Sequence, residues 1–304
     1  MALNRKQEAL DRVQHMLNTL PNEAWPRLAL VALYEASNEP AKAVDALQNG
    51  LLQHPDWEMG YVRLAGILRR LAMSAQGAEH DRRLAEARQV LLDSLAKLPG
   101  SLSIRSSLAA MDIEQGDYES VKRVLEPIAR QFHAEYTGAP EDVDRLQSYL
   151  FPIRIYALAL YYTGQAKEAI AWATTLWNLD PLDAANANNL AYILADEAKD
   201  YARAQELVRR CLRLMPNNPQ VLDTAGWVAF LQGNHERATS YLLESLSHGE
   251  SPEAHYHLGR LYEIRDRPDE ALQEYQKALA LGLARGDRSD AEKRIEALRK
   301  RGPS

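Results

Sequence analysis

The sequence predicts an all-α chain built as an array of helix pairs, and three observations carry that expectation. Over 304 residues, apolar side chains make up 46% and aromatics 7%, with 3 Phe, while Leu and Ala recur throughout. That supplies a helical core but few of the Val, Thr and aromatic runs that strands prefer. Next, an alanine is followed twelve residues later by a proline at Ala9/Pro21, Ala43/Pro55, Ala87/Pro99, Ala169/Pro181 and Ala204/Pro216. The alanine series continues at Ala238 and Ala271, with Val121 filling one gap. Finally, a large residue followed by a small one stands thirteen positions ahead of most of these alanines, as Leu30-Val31, Tyr156-Ala157, Ala225-Gly226 and Leu258-Gly259. The same pair recurs as Leu64-Ala65, Leu108-Ala109 and Leu190-Ala191. Two helices per unit account for all three: small residues sit where the helices cross, and proline stops the second helix.

With these residues in place the chain resembles the tetratricopeptide repeat (TPR) family, whose 34-residue unit reads W-x2-L-G-x2-Y, then A-x3-F, then P. The last units match best, with Leu258-Gly259-x2-Tyr262 followed by Ala271-x3-Tyr275 and Ala278-Leu279. The run Val221-Leu222-Asp223-Thr224-Ala225-Gly226-Trp227-Val228 is similar to a variant common in bacterial exported or lipoprotein-type members. The resemblance implies a right-handed superhelical solenoid of about seven full repeats, a half repeat and a C-terminal capping helix.

The 34-residue frame orders the elements. Residues 1–23 form a half repeat, because Ala9, Val13, Leu17 and Pro21 occupy second-helix positions with no first helix ahead of them. A lone second helix exposes the face its partner would cover, so the expectation is a chain excised from a longer array. Residues 24–149 form an N-terminal block with units starting at Ala24, Glu58 and Leu102 and insertions near 72–83 and 132–146. The stretch from His133 to Asp142, with Gly138, Pro140 and Glu141, is expected to be a loop. Residues 150–285 form a C-terminal block with units starting at Leu150, Ala184, Pro219 and Pro252. In 286–304, Asp287 to Asp290 are expected to cap a helix from about Ala291 to Lys300 that closes the array with a polar surface.

Several functions are excluded or left without support. A net charge of -6 lacks the basic excess of a nucleic-acid binder. No apolar stretch approaches the roughly 20 residues of a membrane span, and the charged start carries no export signal, so membrane insertion by this chain is not expected. The compartment is the periplasm if the chain belongs to an envelope assembly, and the cytoplasm otherwise. The single cysteine, Cys211, permits neither an internal disulfide nor a cysteine zinc site; it stands where the family keeps small residues at the crossing and reads as a buried small hydrophobe. No G-x-x-x-x-G-K-[ST], G-x-G-x-x-G or G-x-S-x-G sequence occurs. His255 and His257 are two apart and point to different sides of a helix, which suits a polar face better than a metal. Glu141, Asp142 and Asp144 follow Pro140 and suit a helix start. No catalytic constellation, metal or cofactor is expected, and the chain reads as a non-enzyme.

What remains is a surface. The resemblance implies that the first helix of each unit lines a concave groove. Carried onto this sequence it places Arg154, Tyr161, Tyr162, Asn188, Tyr192, Asp223, Trp227, Phe230, Tyr256 and Arg260 as the partner-binding set, with Phe151 and Asp196 beside them. Tyr, Trp and Arg are the residues most enriched at binding hot spots. Tyr161 and Phe230 equally suit packing between repeats, and Trp172 and Trp177, on a second helix, suit packing outright. The first units, with Trp25, Met59, Arg69, Arg70 and Ser103 inside, are less aromatic. A subset of the family grips chaperone-tail carboxylates with lysines and asparagines. Asn188 and Asn189 fit that pattern, but the lysines are missing, with Arg154 and Arg260 the nearest cations. The expectation is a scaffold that binds a protein or peptide, and the resemblance to exported bacterial repeats implies a setting in envelope secretion or exopolysaccharide assembly. Alternatives are a targeting or regulatory region of a larger enzyme such as a transferase, and self-association through the helix at Arg5 to Leu17.

Overall fold

Short polar residues start the helices at the unit boundaries. The side chains of Ser101, Asp183, Asn218 and Ser251 each accept a hydrogen bond from a backbone N–H of the helix that follows. Pro219 and Pro252 add a first-turn proline, which sacrifices no helical hydrogen bond. The computed structural model describes residues 2–21, 23–138 and 143–301, which form sixteen α-helices and no strand.

In order these are α1 (Ala2–Thr19), α2 (Ala24–Ala36), α3 (Pro40–Gln53), α4 (Glu58–Met73), α5 (Ala78–Lys97), α6 (Leu102–Glu114), α7 (Tyr118–Gly138) and α8 (Val143–Tyr162). They continue with α9 (Ala166–Leu179), α10 (Ala184–Asp196), α11 (Tyr201–Leu214), α12 (Pro219–Leu231), α13 (His235–His248), α14 (Pro252–Ile264), α15 (Pro268–Ala280) and α16 (Arg285–Arg301). Six of the seven unit starts read from the sequence are the first residues of α2, α4, α6, α10, α12 and α14. Turns inside the units need one left-handed residue, supplied by Gly164 (φ 81°) and Gly233 (φ 78°), and at some cost by Asn38, Lys199 and Asp266.

Two expectations are corrected. Residues 133–138 are not loop: they continue α7, residues 139–142 lie outside the described residues, and α8 begins at Val143. The insertion lengthens two helices, which is why Pro152 falls inside α8 where the frame would put it near a helix start. At the other end, α16 begins at Arg285, so Asp287 to Asp290 lie within its first turns and do not precede it.

The chain divides into two compact units, Met1–Gln115 and Gly116–Ser304. In the first, α1 packs on α2, α3 on α2 and α4, and α6 on α4 and α5. Val31, Leu47, Ile67, Leu91, Ile104 and Leu108 are sealed in its core, each such side chain contributing about 1.5–3 kcal/mol. In the second, the first helices α8, α10, α12 and α14 lie side by side, with their partners packed behind. The small residues work at the crossings as their spacing implies: a Cβ on Gly226 would lie 2.7 Å from Leu242 Cγ, and one on Gly259 2.7 Å from Tyr275 Cδ1. Cys211 is fully buried, and burial pushes its thiol up to about 11, which makes it a poor nucleophile. Trp172 and Trp177 pack against the same core.

Candidate functional site

All ten residues singled out for partner binding fall in the second unit, on the four first helices. Helical spacing puts them on a common side: Arg154, Tyr161 and Tyr162 on α8, Asn188 and Tyr192 on α10, Asp223, Trp227 and Phe230 on α12, Tyr256 and Arg260 on α14. Because the four helices stand in parallel register, the rings form one continuous row. Tyr162 lies 5.0 Å from Tyr161, and Tyr161 lies 5.8 Å from Tyr192. Tyr192 then meets His257 at 6.0 Å, which stacks on Trp227 at 4.2 Å; Trp227 stacks on Phe230 at 5.0 Å. Tyr256 joins at His257 with a centroid distance of 5.6 Å.

The row has a wet end and a dry end. Trp227 and Tyr256 are 4% exposed and Phe230 6%, so these three also hold the unit together. Tyr161, Tyr162 and Tyr192 keep part of their surface in solvent. Burial nevertheless pushes the phenols of Tyr162 and Tyr192 well above the usual tyrosine range, with neighbouring phenols and carboxylates adding to the shift. These side chains are thus partly accessible and yet surrounded by protein on most sides.

Polar contacts brace the rings one repeat at a time. Asp196 accepts from Tyr161 Oη at 2.8 Å and from Trp227 Nε1 at 3.1 Å. His257 Nδ1 lies 2.7 Å from Asp223 Oδ1. Tyr256 Oη donates to Asp290 at 2.7 Å and accepts from Arg260 at 3.0 Å. Arg154 is bound to both oxygens of Asp183, at 3.0 and 2.9 Å. The two cations nearest to a carboxylate clamp are therefore engaged within the protein. Asn188 keeps a buried side-chain oxygen that has no hydrogen-bond partner among the described residues.

Sequence reasoning missed four participants. Tyr118, on α7, stacks on Tyr162 at 4.2 Å. His257 is a buried member of the ring row, whereas His255 points away to Glu274 and Glu250, each at 2.5 Å. Asp290 meets the row at Tyr256 Oη, and Asp287 is coupled electrostatically to His257. The signal for them was the period itself: 34 residues separate Glu253 from Asp287 and Tyr256 from Asp290, so α16 repeats the first-helix positions of α14. Burial raises the Asp287 carboxyl, and Glu253, Asp196 and Asp290 raise it further against the opposing pull of His257. Its charge also reaches Tyr118, Tyr161, Tyr162 and Tyr192. Among the described residues no group of three His, Cys, Asp or Glu side chains is placed to hold a metal, and no helix is long and apolar enough to cross a membrane.

In comparison with known proteins, residues 252–282 match the family model described as tetratricopeptide repeat. A TPR repeat-containing protein of Pseudomonas aeruginosa is 36% identical over 80 residues, covering 26% of this chain and 14% of that protein. Anaphase-promoting complex subunit 7 of Dictyostelium discoideum is 24% identical over 137 residues, covering 45% of this chain and 24% of that one. The chain thus spans only a small part of the length of these relatives. Among solved structures, a tetratricopeptide repeat protein from Parabacteroides merdae superposes with a TM-score of 0.63 at 13% identity, covering 94% of this chain and 98% of that one. A chain of the APC/C hetero-tetramer Cut9-Hcn1 gives 0.58 at 13% identity, covering 96% and 52%. At such identities the likeness is one of fold.

Proposed function

We propose that this chain, a tetratricopeptide-repeat protein, is a non-enzymatic scaffold that captures an extended segment of a protein partner on the inner face of its second unit. The observation that carries the reading is the unbroken ring row from Tyr162 to Tyr256, partly open at Tyr161, Tyr162 and Tyr192. Aromatic side chains bury large area at low entropic cost and keep a polar handle, which suits binding of a peptide backbone. The test is selection of a random peptide display library on the full chain. Selected peptides should lose binding to the Tyr162→Ala, Tyr192→Ala double variant while its circular dichroism stays helical. Equal binding to that variant would refute the assignment of the face.

Two finer points belong to the same proposal. The similarity of residues 221–228 to exported bacterial repeats supports a place in an envelope assembly for secretion or exopolysaccharide, which cell fractionation of the source organism tests directly. The small share of its relatives' length that the chain spans supports a second reading, a targeting or regulatory region within a larger polypeptide such as a transferase. Self-association through α1 is tested by light scattering over a concentration series with and without residues 1–20; an unchanged mass rejects it.

A further inference from the structure

We infer that the open end of the inner face recognises a basic side chain, a lysine or arginine of the bound segment, between the rings of Tyr162 and Tyr192 and the carboxylates of Asp196, Glu253 and Asp287. This rests on the peptide-binding reading above and gives it a polarity.

The argument starts from charge. The cations on the inner helices and α16 are paired: Arg154 with Asp183, Arg294 with Asp290 and Glu263, and His257 with Asp223; Lys199, in the turn after α10, donates to the backbone carbonyl of Asp196. Arg260 is 3.7 Å from Asp290 and donates to Tyr256. Three carboxylates have no such match. Asp196 is held by the neutral donors of Tyr161 and Trp227, and Glu253 by the hydroxyl of Ser251. The Asp287 carboxylate accepts no hydrogen bond among the described residues. None of the three forms an ion pair among those residues. The face therefore presents surplus negative charge and engaged cations, which repels a terminal carboxylate and attracts an ammonium or guanidinium.

Independent features point the same way. Tyrosine rings offer their electron-rich faces to a cation, an interaction that strengthens when desolvated, and these rings are partly accessible while largely surrounded by protein. One helical turn ahead of Tyr192 on α10, Asn188 holds a buried oxygen that lacks a donor among the described residues. The altered titration of Asp287 fits as well, because a carboxylate crowded by burial and by Glu253, Asp196 and Asp290 gains most from an incoming positive charge.

The test uses the peptides selected on the full chain. The strongest binder should carry lysine or arginine at one fixed position, and its replacement by glutamine should weaken calorimetric affinity about tenfold or more. Asp287→Asn and Glu253→Gln should each weaken the parent peptide several-fold and leave the glutamine peptide unaffected, with helical content retained. Binders that lack a basic position, that rely on a terminal carboxylate, or that ignore both substitutions would overturn the inference while leaving the inner face as a binding surface. A library that yields no binder sensitive to the Tyr162 and Tyr192 substitutions would overturn the underlying proposal as well.

Discussion

His257 and Asp223 are 34 residues apart, one repeat, and meet at 2.7 Å with side chains almost fully enclosed. Burial alone would lower the imidazole's affinity for its proton, but the Asp223 carboxylate outweighs it and the net shift is upward. A raised folded pKa means that the pair stabilises fully below the unfolded histidine value of about 6.5 and loses that contribution as pH rises through the folded value. Thermal stability of the wild type should therefore fall with rising pH in this window. Asp223→Asn should flatten that dependence and cost about 3–5 kcal/mol below it, because a buried charge loses its partner. Calorimetric melting across a pH series checks both.

Asp287 also makes stability fall as pH rises, but here the charged form is the unfavourable one. Its folded pKa is raised, so its charge opposes folding once pH exceeds the unfolded value, and the penalty grows until the folded value is passed. Asp287→Asn should raise the melting temperature at neutral pH. The gain should vanish below pH of about 4, where the unfolded carboxyl is also protonated. A variant that melts lower at neutral pH would show that the carboxylate is compensated in the fold.

Trp227 is expected to matter twice. It is 4% exposed, stacked on Phe230 and His257, and donates to Asp196. Trp227→Ala should cost about 3–5 kcal/mol in denaturant unfolding, so a loss of partner capture in that variant is not by itself a measure of contact. The sequence places Trp227 in the partner-binding set, and the depth at which the indole lies gives it a packing role as well.

Gly259 marks the tightest crossing of α14 and α15. An added Cβ meets both Tyr275 Cδ1 and Cε1 at 2.7 Å, and Tyr275 is fully enclosed with its hydroxyl tied to Glu263. Gly259→Ala should cost about 1–3 kcal/mol by overpacking, measured by urea unfolding.

The phenols provide a direct probe of the inner face. Tyr118 is pushed up to about 12 by burial, and Tyr162 and Tyr192 are raised well above the usual range. Ultraviolet titration should show a subset of the 14 tyrosines that stays un-ionised beyond pH of about 11 and ionises only on unfolding. Simple titration of all of them would contradict the desolvation of these rings.

The sequence by itself determined the helix pairs and their register, because alanine, glycine and proline at fixed spacing report local facts: where two backbones cross and where a helix cannot continue. The same period located the inner positions of α8, α10, α12 and α14. Only the tertiary structure decided how deep those positions lie and what pairs with them. Trp227, Phe230 and Tyr256 point inward like Tyr162 and Tyr192, yet neighbouring helices close over the first three and leave the others open. Asp287 looked like a cap because acidic residues favour helix starts, but its coupling to His257 depends on how α16 packs after α15. Arg154 and Arg260, the cations nearest a carboxylate clamp in the sequence, lie beside Asp183 and Asp290. Depth and pairing are set by residues a repeat or more away, and local spacing carries no record of them.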